Sequence, residues 1–133
     1  MKVKTSNLIG PALDWAVAMC RGFDGLDEDE WLIRDGIADM PLSAYTPSSD
    51  WAQGGPVIES ANITVRPVFH AGRTENGSDT CRQDGWSAHV EPKAYWITPR
   101  PFAGSKPLIA AMRCYVTSKM GGEVEVPDEL IKE

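Results

Sequence analysis

The segment Asp50-Trp51-Ala52-Gln53-Gly54-Gly55-Pro56 holds the side chains best suited to recognition chemistry. An indole stacks on flat ligands, and the Gln53 amide offers both donors and an acceptor. Glycines at 54 and 55 allow close approach to a backbone whose successive N–H groups can form an anion nest. Pro47 and Pro56 flank the segment, and Gly, Pro, Ser and Asp are frequent throughout residues 35–56. The expectation is therefore a stiff binding loop, Trp51–Gly55. The competing reading makes Trp51 a core plug and the glycines simple turn residues. Arg113 is a second candidate, because a guanidinium on an otherwise apolar helix needs a structural carboxylate or an anionic ligand as partner. The candidate binding set is thus Asp50, Trp51, Gln53, Gly54, Gly55 and Arg113.

Other constellations are weaker. His70, His89 and Cys81 match no zinc spacing. The run Asp24-Gly-Leu-Asp27-Glu-Asp-Glu30 lacks the alternating oxygens and central glycine of a calcium loop and reads as a solvated face. There is no Gly-x-Ser-x-Gly elbow and no phosphate-binding P-loop. No catalytic residue, metal or cofactor is expected. A binding module is favoured over an enzyme, and the alternative is a small enzyme or sequestering protein for a nucleotide-like anionic ligand. A deep pocket holding Trp51, Gln53 and Arg113 would support that alternative. A flat apolar surface would support a protein partner or a homodimer.

Composition narrows the class. The 133 residues suit one domain, and 42% are hydrophobic, enough for a core. The net charge of −6 and the lack of a basic run disfavour direct nucleic-acid binding. No apolar run reaches membrane-spanning length, and Asp14-Trp15 interrupts the stretch after Lys2 and Lys4, so neither a membrane nor a secretory signal is expected. Three cysteines, Cys20, Cys81 and Cys114, imply free thiols in a reducing compartment.

The elements that must position these residues follow from periodicity. Gly10-Pro11 opens a helix that stops near Gly22, and Pro107 opens a second, largely buried helix ending at Gly121. On it, Lys106, Ala110, Arg113 and Thr117 form a narrow, partly polar stripe. Trp31-Leu32-Ile33, Ile63–Arg66 ended by Pro67, residues 86–91, residues 94–98 and Val124–Val126 read as strands. Residues 71–85 lack periodicity and read as a mobile hairpin connection. The order predicts an α+β domain, with two main helices packed on one antiparallel sheet.

Three stretches carry a family resemblance: Gly10-Pro11-Ala12-Leu13-Asp14-Trp15-Ala16-Val17-Ala18, Asp50-Trp51-Ala52-Gln53-Gly54-Gly55-Pro56-Val57-Ile58-Glu59, and Pro107-Leu108-Ile109-Ala110-Ala111-Met112-Arg113-Cys114-Tyr115-Val116. In this order, with the tail Glu123–Leu130, they resemble the NinX-like family of small phage and prophage proteins. Residues 23–44 and 70–85 then read as variable loops. The resemblance implies a phage accessory protein acting in the bacterial host cytoplasm and brings no catalytic residues. The family's usual Thr before the helix-opening proline is Lys106 here, which shifts the expected cap to Ser105.

Overall fold

The computed structural model describes residues 1–73, 77, 79–90 and 102–131. The architecture is α+β, with every strand pairing antiparallel. In chain order the elements are β1 (Lys2–Lys4), α1 (Gly10–Cys20), β2 (Gly25–Leu26), β3 (Trp31–Arg34) and β4 (Ile37–Pro41). They continue as α2 (Trp51–Ala61), β5 (Ile63–Arg73), β6 (Asp79–Val90), β7 (Phe102–Gly104), α3 (Pro107–Met120) and β8 (Glu123–Glu125). Short 3-10 turns lie at Thr5–Asn7, Leu42–Ala44 and Asp128–Leu130.

Among the described residues three α-helices form rather than two, and the strands make three small sheets rather than one: β1-β8, β2-β3-β4 and β5-β6-β7. The additional helix is α2, which occupies the stretch read as a loop. Its N-cap Asp50 accepts the Ala52 N–H at 3.0 Å, satisfying a donor the first turn leaves open. Its end is a left-handed Asn62, at φ 55°. Neither Gly54 nor Gly55 has positive φ, so neither turns the chain. Gly54 is required for space: a Cβ there would lie 2.5 Å from the Pro47 carbonyl oxygen and 2.6 Å from a Leu108 methyl.

The strand β5 does not end at Pro67. A bulge between Pro67 and Phe69 absorbs the proline, and pairing with β6 resumes from Phe69↔Gln83 to Arg73↔Asp79. Most of residues 71–85 is therefore a paired hairpin, and much of 23–44 is the β2-β3-β4 meander; neither stretch is simply a loop. The strand expected at 94–98 falls outside the described residues.

The core forms around α3, whose Leu108, Ile109, Ala110, Ala111, Met112, Cys114, Tyr115 and Val116 are all buried. The β5-β6-β7 sheet packs on it, as do α1 and α2. Gly104 lets β7 lie against the helix backbone, since a Cβ there would approach the Ala110 nitrogen to 2.6 Å. Of the proposed polar stripe, Ala110 is fully buried. The residue capping α3 is Lys106 rather than Ser105, and its side chain makes no capping bond.

Candidate functional site

The first turns of all three helices open onto one cleft of about 1390 Å³. Ile9, Gly10 and Pro11 line it from α1, Ser49 and Trp51 from α2, and Lys106 and Pro107 from α3. Leu42, Trp86 and Ile131 extend the apolar wall. Proline lacks an N–H and has a preset φ, so Pro11 and Pro107 suit helix starts and leave few backbone donors facing the cleft. The charged lining residues are Asp14, Glu30, Glu129 and Lys106, three carboxylates against one ammonium.

Of the six candidate binding residues, Trp51 alone lines this cleft, and its surface is 57% exposed. It is not a core plug. Gln53 turns back onto its own chain instead of facing a ligand. Its amide oxygen accepts the Thr46 N–H at 3.0 Å, while Nε2 donates to the Ala44 carbonyl at 3.0 Å and to Asp50 Oδ2 at 3.1 Å. Together Asp50 and Gln53 fasten the 44–50 segment to the start of α2. Gly55 faces open space.

Among the described residues Arg113 is held by backbone carbonyls rather than by a carboxylate. Nε donates to Leu8 O at 2.9 Å and Nη1 to Ala103 O at 3.0 Å, tying the strand β7 to the segment before α1. Burial pulls the guanidinium pKa below its ordinary value.

Sequence reasoning passed over Asp14, the most constrained charge near the cleft. It is 4% exposed, and its carboxylate accepts the Ser48 N–H at 2.9 Å. Desolvation raises its pKa, and the bonds from Ser48 oppose that shift. The signal was present: an aspartate amid Ala12, Leu13, Ala16 and Val17 on a buried face must find a donor.

The remaining candidate groups are separated. His70 lies opposite Arg82 and His89 opposite Thr64, which places the two histidine backbones roughly 20 Å apart along the ladder. Among the described residues no group of three His, Cys, Asp or Glu is arranged to hold a metal ion. Burial pushes the Cys20 and Cys114 thiols up to about 11, the reverse of an activated nucleophile. Among the same residues no helix is long and apolar enough to cross a membrane.

A family model described as Bacteriophage P22, NinX matches residues 4–119. The chain belongs to the NinX family. It is therefore a phage protein, and the matched span contains all but the last residue of α3, the whole of α1 and α2, and most of the cleft. The match ends before β8 and the Glu129–Ile131 wall. No curated protein matches the chain significantly.

Proposed function

We propose that this NinX-family chain is a one-domain accessory protein of the phage, acting in the bacterial host cytoplasm as a non-enzymatic binding module whose recognition site is the cleft beside Trp51. The observation that supports this reading is the Trp51 indole, exposed at the first position of α2 on the lip of the cleft. A large aromatic left in water contributes little to folding and much to an interface. Asp50, Gln53, Gly54 and Arg113 act as positioning groups, since each fixes the backbone that carries the lining. Gly55 leaves the adjoining surface unobstructed.

The lining favours a neutral or cationic partner group over the nucleotide-like anion of the alternative reading. Three carboxylates against one ammonium oppose a polyphosphate, and the prolines at two of the helix starts remove donors that would otherwise hold one.

The test is capture from phage-infected host lysate by the unmodified protein and by Trp51→Ala, with captured species identified by mass spectrometry. Trp51→Ala is expected to change stability by less than about 1 kcal/mol, as for an exposed side chain, and to lose the captured species. Unchanged capture, or a stability loss of about 3–5 kcal/mol typical of a core aromatic, overturns the reading.

A further inference from the structure

Next to the cleft, with which it shares Glu30, the β2-β3-β4 meander presents a second surface with its own chemistry. Residues 23–44 contain Asp24, Asp27, Glu28, Asp29, Glu30, Asp35 and Asp39 against the single cation Arg34, so this segment carries the entire net charge of −6. Across the rest of the chain twelve acidic and twelve basic residues cancel. Arg34 is already engaged, with its guanidinium 4.3 Å over the Phe23 ring and Nε 3.7 Å from Asp39. All the carboxylate residues but Asp27 are exposed.

The same meander has an apolar sheet face that is partly exposed among the described residues. Leu32 is fully buried and anchors the inner side. Side chains alternate along β3, so Trp31 and Ile33 lie on the opposite side; their partners on β4, Pro41 beside Trp31 and Ala38 beside Ile33, are separated by a bulge that shifts the register between Leu32 and Ile33. Trp31 is 39% exposed and Ala38 is exposed as well, while Ile33 and Pro41 are half-buried. The surface is preformed: Asp27 Oδ1 accepts the N–H groups of Asp29 and Trp31 at 2.9 and 2.8 Å, and Asp24 Oδ2 accepts that of Asp35 at 2.8 Å.

We propose that this face docks a Lys- and Arg-rich segment of a protein partner, whose apolar side chains cover Trp31 and Ile33 while its cations meet the acidic rim. Charge selects the occupant. A second copy would bring a face with the same charge of −6, and a nucleic acid would bring phosphates, so both are repelled. An inorganic cation would leave the indole uncovered, and among the described residues no three acidic, His or Cys side chains converge to hold one.

The test uses the full chain and a synthetic peptide alternating Lys and Val over about 12 residues, with a Lys/Ser peptide of equal charge as comparison. Binding is measured by calorimetry at low and high salt and by the resonance of the assigned Trp31 indole N–H. The Lys/Val peptide is expected to bind more tightly than the Lys/Ser one, to weaken with salt and to shift the Trp31 signal. Replacing Glu28→Gln with Asp29→Asn should weaken it by roughly fivefold, whereas the distant pair Glu59→Gln and Glu123→Gln should change it by less than about twofold. The proposal is overturned by equal weakening from the two pairs, by equal affinity for the two peptides, by a static Trp31 signal, or by no binding. None of these outcomes depends on Trp51, so failure here is separate from failure of the cleft reading.

Discussion

The carboxylate of Asp14, in the first half of α1, accepts the backbone N–H of Ser48 at 2.9 Å, joining positions 34 apart in sequence. This buried bond holds the segment before α2 against α1 and so shapes one wall of the cleft. Asp14→Ala should cost about 1–3 kcal/mol, because it strands the Ser48 donor. Asp14→Asn keeps an acceptor and removes the charge. Since burial raises the Asp14 pKa above 3.8, the folded state binds its proton more readily than the unfolded chain. The contribution to stability is thus greatest at low pH and is lost as pH rises through the raised value. Urea melts from below pH 3.8 to neutrality should show Asp14→Asn gaining on the native protein as pH rises through that window. A constant difference across it would contradict the assignment.

The adjacent glycines of α2 should behave differently. Gly54→Ala drives a methyl into the Pro47 carbonyl and Leu108, and should destabilise by about 1–3 kcal/mol. Gly55→Ala meets open space beyond its chain neighbours, but in helical backbone its Cβ would crowd the ring of Pro56, which offsets the entropic gain, so a change of less than about 1 kcal/mol is expected. Thermal melts of the two single variants check the contrast, and equal effects would mean that the helix is not seated as described.

Gln53→Ala should weaken the fold as well. It leaves the Thr46 N–H without its acceptor and releases the Ala44 carbonyl, a loss of about 1–3 kcal/mol. Chemical denaturation measures it directly. A neutral result would free Gln53 for a role in ligand contact.

Met112 is fully buried at the centre of α3, and Met112→Ala should cost about 2–5 kcal/mol through lost contacts and a cavity. A loss under about 1 kcal/mol in urea would be inconsistent with its burial.

Thiol labelling offers a reading of packing. Cys114 is buried and its thiol is pushed up to about 11, so an alkylating reagent near neutral pH should modify it only on unfolding. Mass spectrometry after timed labelling checks this, and rapid modification of the native protein would show that α3 opens readily.

Much of the frame was legible because its signals are local. Gly10-Pro11 and Pro107 mark helix starts through a fixed proline φ, and Gly121 ends α3 at φ 90°. Alternation in Trp86, Ala88 and Val90 marks one part of β6. The site was less legible. Trp51 is exposed at the start of α2, and the stretch whose turn residues read as a loop is a helix. Gly-Gly-Pro opposes helix by propensity, while the Asp50 cap and the contacts of Gly54 override it.

By itself the sequence determined the α+β class, the two proline-opened helices, the acidic character of residues 23–44 and the resemblance to the NinX family. Each is written in neighbouring residues or in a periodicity of a few positions. Tertiary structure alone decided which polar groups are already satisfied and which are available to bind. Arg113 meets the carbonyl of Leu8, 105 positions away, and Asp14 meets Ser48. Those pairings depend on how α1, α2, α3 and β7 come together in space, and no spacing along the chain encodes a distance across a packed core.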